Sequence, residues 1–279
     1  MHDQQLVATY LALLDTPPPP GRQKEQVVQE FLEAHTELIP LPNLLNHGLN
    51  FQSVISKLPL SNEHITDYAY LTKSSDTWRI TLVEIESPDK ILYTKDTRRP
   101  LKSATFNAAI DQVRQWKQFL ATRGQVIEQT LRPLIQPPHM RSNPIEYDFQ
   151  LIIGRSSSKN LTEGRKRDFR ALQQETGVTV MTFDQLVDWY RQGQSVKKNV
   201  LRFTSGRYEF KSIAAGPGNM LAHMGPGELD LSTELVNDLL VRGHDMTSWQ
   251  AGEPLLVDGK QTLSNFGKTL SPPTPKAVP

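Results

Sequence analysis

The stretch Trp78-Arg79-Ile80-Thr81-Leu82-Val83-Glu84-Ile85-Glu86 limits the chain most. Ile80, Leu82, Val83 and Ile85 place apolar side chains on both faces near the end of one strand. A strand buried on both faces needs layers above and below it, which is the arrangement of α/β folds. The same strand ends in two carboxylates at alternate positions, so Glu84 and Glu86 share a face. A solvent-facing edge strand would accommodate them simply. Beside Val83 and Ile85, however, two carboxylates carry a desolvation cost unless a cation or hydrogen bonds offset it.

The flanking periodicities agree with layers. Helices are expected over 4–14, 23–34, 103–123, 125–135, 162–176 and 183–191, with Gly124 ending the fourth-turn stripe of Phe106, Ile110, Val113, Trp116 and Leu120. Strands are expected over 51–58, 67–72, 78–86, 149–154 and 178–182. Pro17 to Pro20 separate the first helix from the rest. The order gives a mixed sheet flanked by helices. No Gly-rich loop follows a strand, which argues against dinucleotide and P-loop binding.

Beyond Gly193 the texture changes. Strands at 200–204 and 207–213 flank Ser205-Gly206, and Ser232 is placed to cap a helix over 233–241. A hairpin over 255–263 turns at Asp258-Gly259, and the proline-rich 271–279 reads as a disordered tail. The expected division is an N-terminal helix and linker at 1–20, a main domain at 21–198, and a small α+β appendage at 199–270.

Charge narrows the function classes. The chain has 31 Lys+Arg against 30 Asp+Glu, so a uniformly basic nucleic-acid coat is excluded. Residues 215–279 carry a net −3 and the remainder +4. Two basic stretches could track a phosphate backbone: Lys90, Lys95, Arg98, Arg99 and Lys102, and Arg155, Lys159, Arg165, Lys166, Arg167 and Arg170. Their plainer reading is a solvated surface. With no cysteine, thiolate chemistry and Cys-ligated zinc are absent, and the seven histidines have no paired metal spacing. No apolar run reaches the roughly 18 to 20 residues of a membrane span. The reading is a soluble, cytoplasmic protein without a membrane partner.

Asp67 opens the strand before Glu84 and Glu86, and a hairpin would bring the three carboxylates together. Converging carboxylates suit Mg2+, with Mn2+ as a substitute, and a bound cation activates water and offsets phosphodiester charge. Ser156-Ser157-Ser158 reads as a flexible loop. Trp78 and Trp116 read as core aromatics.

Glu25 with Phe31-Leu32-Glu33, then Asp67, Val83-Glu84-Ile85-Glu86-Ser87-Pro88, Ala109-Ile110-Asp111-Gln112-Val113, Leu151-Ile152-Ile153-Gly154-Arg155 and Val180-Met181-Thr182-Phe183-Asp184-Gln185-Leu186 follow one another in order. Together they resemble the Shedu anti-phage nuclease domain, of the PD-(D/E)XK restriction-endonuclease-like superfamily, over about residues 22–192. The resemblance implies a restriction-endonuclease-like fold and Mg2+-dependent cleavage of double-stranded DNA. It implies that Asp67 and Glu84 are metal-binding acids and that Gln112 supports the site. Glu25 is the best match to an acid on the first helix of that domain, or else an exposed first-turn glutamate. It also implies a homo-oligomer, with a tetramer favoured.

One position departs from the pattern. Where the superfamily carries lysine, this chain has Glu86. Glu86 could be a third ligand or accept a proton from water, and the missing positive charge could come from Lys90, or less readily from Lys117. Two other readings follow from the departure: a degenerate nucleic-acid-binding or sensing module, and a subunit that mainly assembles oligomers.

Overall fold

The computed structural model describes residues 3–96, 98–192, 196–253, 255–257 and 263–265. Its centre is an eight-stranded sheet. In sequence the strands are β1 (Ser53–Ser56), β2 (Tyr68–Lys73), β3 (Trp78–Ile85), β4 (Ile145–Ile152), β5 (Val178–Met181), β6 (Asn199–Thr204), β7 (Arg207–Ser212) and β8 (Leu229–Asp230). In space the order is β5-β4-β3-β2-β1-β6-β7-β8. β1, β2 and β3 form an antiparallel meander, whereas β3–β4, β4–β5 and β1–β6 are parallel. The expected mixed sheet is therefore present.

Both faces are covered, as the composition of β3 requires. Ile80 and Leu82 pack with Phe106, Ile110, Val113 and Trp116 of α3 (Ala104–Leu131). Val83 and Ile85 lie in a second core with Tyr10, Val28, Leu32, Phe183 and Leu186. That core gathers α1 (Gln4–Asp15), α2 (Lys24–Ala34) and α6 (Phe183–Arg191). Lys24 fastens the first two helices by donating Nζ to the carbonyl of Leu13, at 2.6 Å, and to that of Thr16. The remaining described α-helices are α4 (Ser156–Asn160), α5 (Glu163–Thr176), α7 (Gly218–Leu221), α8 (Thr233–Val241) and α9 (Met246–Gln250).

Several boundaries differ from the sequence reading. α3 does not end at Gly124. Arg123 leaves helical geometry at φ −136° and ψ 23°, but Ile127 and Leu131 extend the buried stripe and carry the helix on to Leu131. Tertiary packing here outweighs the local cost of glycine. β4 starts at Ile145 rather than 149, because Glu146 and Asp148 alternate outward and pair with Arg79 at 2.9 and 3.1 Å. Ser156 to Ser158 form the start of α4, not a loop. Asp184 accepts from the Ser156 amide at 2.5 Å, and the Ser156 and Thr182 hydroxyls lie 2.6 Å apart.

The expected 51–58 strand is reduced to β1. Before it, Asn50–Gln52 make a single 3-10 turn in which Phe51 and Gln52 take φ values of 52° and 47°. After it, Lys57 also has a positive φ, 52°.

The expected division at residue 199 falls within the sheet. β6 pairs with β1 from Ser53↔Asn199 to Ser56↔Arg202. The β6–β7 turn is the expected one, with Ser205 at φ 52° and Gly206 at φ 83°, suiting a primed two-residue hairpin. Ser232 caps α8 through the Leu235 amide at 3.2 Å. β9 (Leu255–Val257) and β10 (Leu263–Asn265) pair antiparallel. Their expected turn at Asp258-Gly259 and the 271–279 tail lie outside the described residues. Among the described residues no helix is long and apolar enough to cross a membrane.

Candidate active site

The site forms where β1 and β3 end and β2 begins. Asp67 directly precedes β2 and is 4% exposed. Its amide donates to the Val83 carbonyl at 3.1 Å, and its carboxylate Oδ2 accepts from the Ile85 amide at 2.6 Å. These two bonds clamp the acid against β3. Glu84 and Glu86 are each 8% exposed. The Glu86 amide continues the β3–β4 ladder by donating to the Ile152 carbonyl at 2.8 Å. Period-2 alternation puts Glu84 on the face of Leu82, toward α3. There Gln112 donates Nε2 to the Glu84 carboxylate.

Two lysines enter from loops. Lys90 pairs with Glu86, and Lys57 pairs with Asp67. Lys57 was absent from the candidates read in the sequence. The β1–β2 register, Ile55↔Ala69 and Ser56↔Tyr68, places Lys57 opposite Asp67 when continued by one residue. The main chains meet there too, since the Lys57 amide donates to the Asp67 carbonyl at 2.9 Å. A cross-strand Lys–Asp pair was the available signal, but it needs the register. Lys117 is occupied elsewhere: its Nζ donates to the Thr176 carbonyl at 3.1 Å.

The loop bearing Lys90 depends on one glycine. Gly154 has φ 61°, and a Cβ built there would lie 2.5 Å from the Lys90 carbonyl oxygen. Any side chain at this position collides with the main chain of the lysine that reaches Glu86.

Electrostatically the acids oppose one another. The Glu84 carboxyl is pushed up to about 9, first by burial and then by the charges of Asp67, Glu86 and Glu25. Asp67 is also raised by burial, against the pull of Lys57 and of its hydrogen bond from Ile85. Glu25, half-buried in the first turn of α2, is raised by burial and then by Asp67 and Glu86. Its partial burial means it is not a fully exposed helix-dipole partner.

Chemically these donors are hard oxygens, with Asp67 and Glu84 at neighbouring strand ends, and their mutual repulsion is of the kind a divalent cation relieves. As they stand, no three Asp, Glu or His side chains among the described residues are set to hold an ion. The pair therefore fits a cation that keeps several of its own waters, better than a closed protein cage.

A family model described as Shedu protein SduA, C-terminal, matches residues 22–187. The chain belongs to this Shedu family. Shedu membership points to a role in defence against phage. No curated protein matches the chain. All the acids above, Gln112 and both lysines lie within the Shedu segment, whereas α1, β6, β7 and α7 to α9 lie outside it.

The basic residues separate into two kinds. Lys95, Arg98 and Arg99 are exposed on the loop after β3, and Arg167 is exposed on α5. Lys166 is half-exposed and pairs with Glu163 at 2.6 Å. Arg155 and Arg165, expected as phosphate contacts, are placed otherwise. Arg155 ties Asp15 of α1 to Asp184 of α6 at 2.6 and 2.9 Å. Arg165 is 3% exposed and donates to the carbonyls of Ser158 and Thr94 at 2.9 and 2.6 Å. Its guanidinium holds the base of the loop that carries Lys95, Arg98 and Arg99.

Proposed function

We propose that this Shedu protein is a metal-dependent endonuclease that nicks or cleaves double-stranded DNA in anti-phage defence. The observation that carries the proposal is the gathering of Asp67, Glu84, Glu86 and Glu25 with Gln112, Lys57 and Lys90 at one sheet end. Burial, and then the charges of the three other acids, raise the Glu84 carboxyl, and a divalent cation would offset that cost. Asp67 and Glu84 would hold Mg2+, or Mn2+ in its place. When bound, the cation supplies a more acidic water and stabilises charge on the phosphodiester under attack.

The chain's own residues have distinct parts in this reading. Gln112 fixes the Glu84 carboxylate. The Ile85 amide and Lys57 orient Asp67. Glu86 stands where the superfamily has lysine, and Lys90 beside it returns the positive charge to that corner. Glu86 accepts a proton from the attacking water or completes the ligand set. Lys57 and Lys90 can turn from their carboxylates toward a phosphate oxygen once a cation neutralises the acids. Lys95, Arg98, Arg99 and Arg167 are exposed to meet the DNA backbone, and a homo-oligomer would present such surfaces more than once.

A second reading is favoured by the pairing of both lysines with carboxylates and by the fact that, among the described residues, no three acids are set to hold an ion. In that case the domain binds or senses nucleic acid without cutting it. Plasmid nicking by purified protein with Mg2+ or Mn2+, beside a Glu84→Ala variant, separates the two. Metal-dependent nicking lost in the variant supports the nuclease. DNA binding without nicking by either protein, across several metals and substrates, supports the binding module.

A further inference from the structure

At the end of β2 remote from Asp67, a cleft of about 260 Å3 is lined by His47, Asn50, Phe51, Lys73, Asn219 and His223, with Gln136. The six residues of β2 separate it from the acid cluster by roughly 20 Å. Its walls come from two sources. His47 to Lys73 belong to the Shedu segment, and Asn219 and His223 belong to the chain beyond it.

The lining is one-sided in charge. No Asp or Glu among the described residues is part of it. Lys73 donates Nζ to the Gln136 carbonyl at 2.6 Å and has no carboxylate partner among the described residues. The Lys73 ammonium is held below its ordinary pKa by burial alone. His223 is held below its own by burial, then by the charges of Lys73 and Arg141, so its strongest charged neighbours are cations. Asn50 donates Nδ2 to the Leu134 carbonyl at 2.8 Å. The lining thus carries the positive charge of Lys73 with no carboxylate beside it, and a His223 imidazole whose neutral form is favoured.

Its backbone is also unusual. Phe51 and Gln52 both occupy the left-handed region, uncommon for residues with a Cβ and notable in a ring-bearing one. The outcome is a Phe51 ring set 6.1 Å from the His223 imidazole. Strain of this sort persists where surrounding structure enforces it and concentrates at ligand sites.

We propose that this cleft binds the phosphate group of a small ligand, with Lys73 and His223 on the phosphate and the Phe51 ring beside the rest of the molecule. A nucleoside monophosphate has both parts, and inorganic phosphate has the first alone. The size of the cleft and its distance from the acids favour a small molecule over a track for duplex DNA.

The test is calorimetric titration of the full chain with inorganic phosphate, adenosine monophosphate, adenosine and a short single-stranded oligonucleotide. Adenosine monophosphate or phosphate should bind and adenosine should not. Tighter binding of the monophosphate identifies a nucleotide; equal binding identifies free phosphate. Lys73→Gln and His223→Ala lie on separate elements and should each weaken binding roughly tenfold or more, the worth of one charge-assisted hydrogen bond. Melting temperatures certify that each variant is folded. The proposal is overturned if no phosphate compound binds at millimolar concentration, or if folded variants bind as wild type does. Binding of the oligonucleotide alone, sensitive to Lys73, would replace it with a nucleic-acid contact.

Discussion

Glu84→Gln should stabilise the metal-free protein, and by an amount that grows with pH. In the native state the Glu84 carboxyl is raised to about 9 from an ordinary value near 4.5. The unfolded chain gives up this proton near pH 4.5, whereas the folded chain keeps it until about pH 9. Across that window the folded state binds more protons, so its stability falls as pH rises. Below pH 4.5 both states are protonated and the penalty vanishes. At pH 7.5, three units above the unfolded value, 1.36 kcal/mol per unit gives about 4 kcal/mol. Glutamine does not ionise and can still accept from Gln112. Denaturant unfolding at a series of pH values between 5 and 8.5, in EDTA, checks this. Wild type should lose stability toward high pH relative to the variant, with a gap of about 1 kcal/mol or less at pH 5 and about 5 kcal/mol at pH 8. Added Mg2+ should close the gap by stabilising wild type alone. Two parallel curves would refute the reasoning, because they would mean that Glu84 titrates as it does in the unfolded chain.

Other expectations concern neighbouring residues. Lys57→Met should lower nicking more than tenfold and stability by only about 1 kcal/mol, since Lys57 is 51% exposed and screened by water; a kinetic assay beside a thermal melt reads both. Gly154→Ala should cost about 1–3 kcal/mol through its left-handed φ and should also disable nicking by displacing the Lys90 main chain; unchanged activity would show that this loop is not needed. Arg165→Ala should cost about 2–4 kcal/mol by leaving buried carbonyls unpaired, whereas replacing Arg98 and Arg99 together with alanine should leave the melt unchanged and lower the salt dependence of DNA binding by about two charges.

The sequence was most informative where apolar spacing was regular. The doubly apolar strand ending in Glu84 and Glu86 required covered faces, and α3 brings Gln112 to Glu84 because its apolar stripe fixes which side faces out. Charge was the poorer guide. Arg165 and Lys166 are adjacent in sequence, yet one is buried against carbonyls and the other faces a surface glutamate. Helical phase decides this, and a run of basic residues does not show it. Lys57 was hidden because its role depends on strand register and on a left-handed φ, neither of which a single chain declares. The strand β6 was legible at 200–204, but its pairing with β1 was hidden for a related reason: a parallel partner more than a hundred residues away leaves no local mark.

That distant partner affects when the site can mature. β1 lies between β2 and β6, and its C-terminal end delivers Lys57. During synthesis β1 emerges early, but it stays a bare sheet edge until residues 199–202 have left the ribosome. Pairing across so many residues is slow to form. In an unfinished chain Lys57 therefore sits at the end of an unpaired edge strand, and that edge is open to aggregation. For a protein whose proposed activity would damage the genome of its own cell, late closure of β1 by β6 would delay cutting until the chain has been made past the Shedu segment.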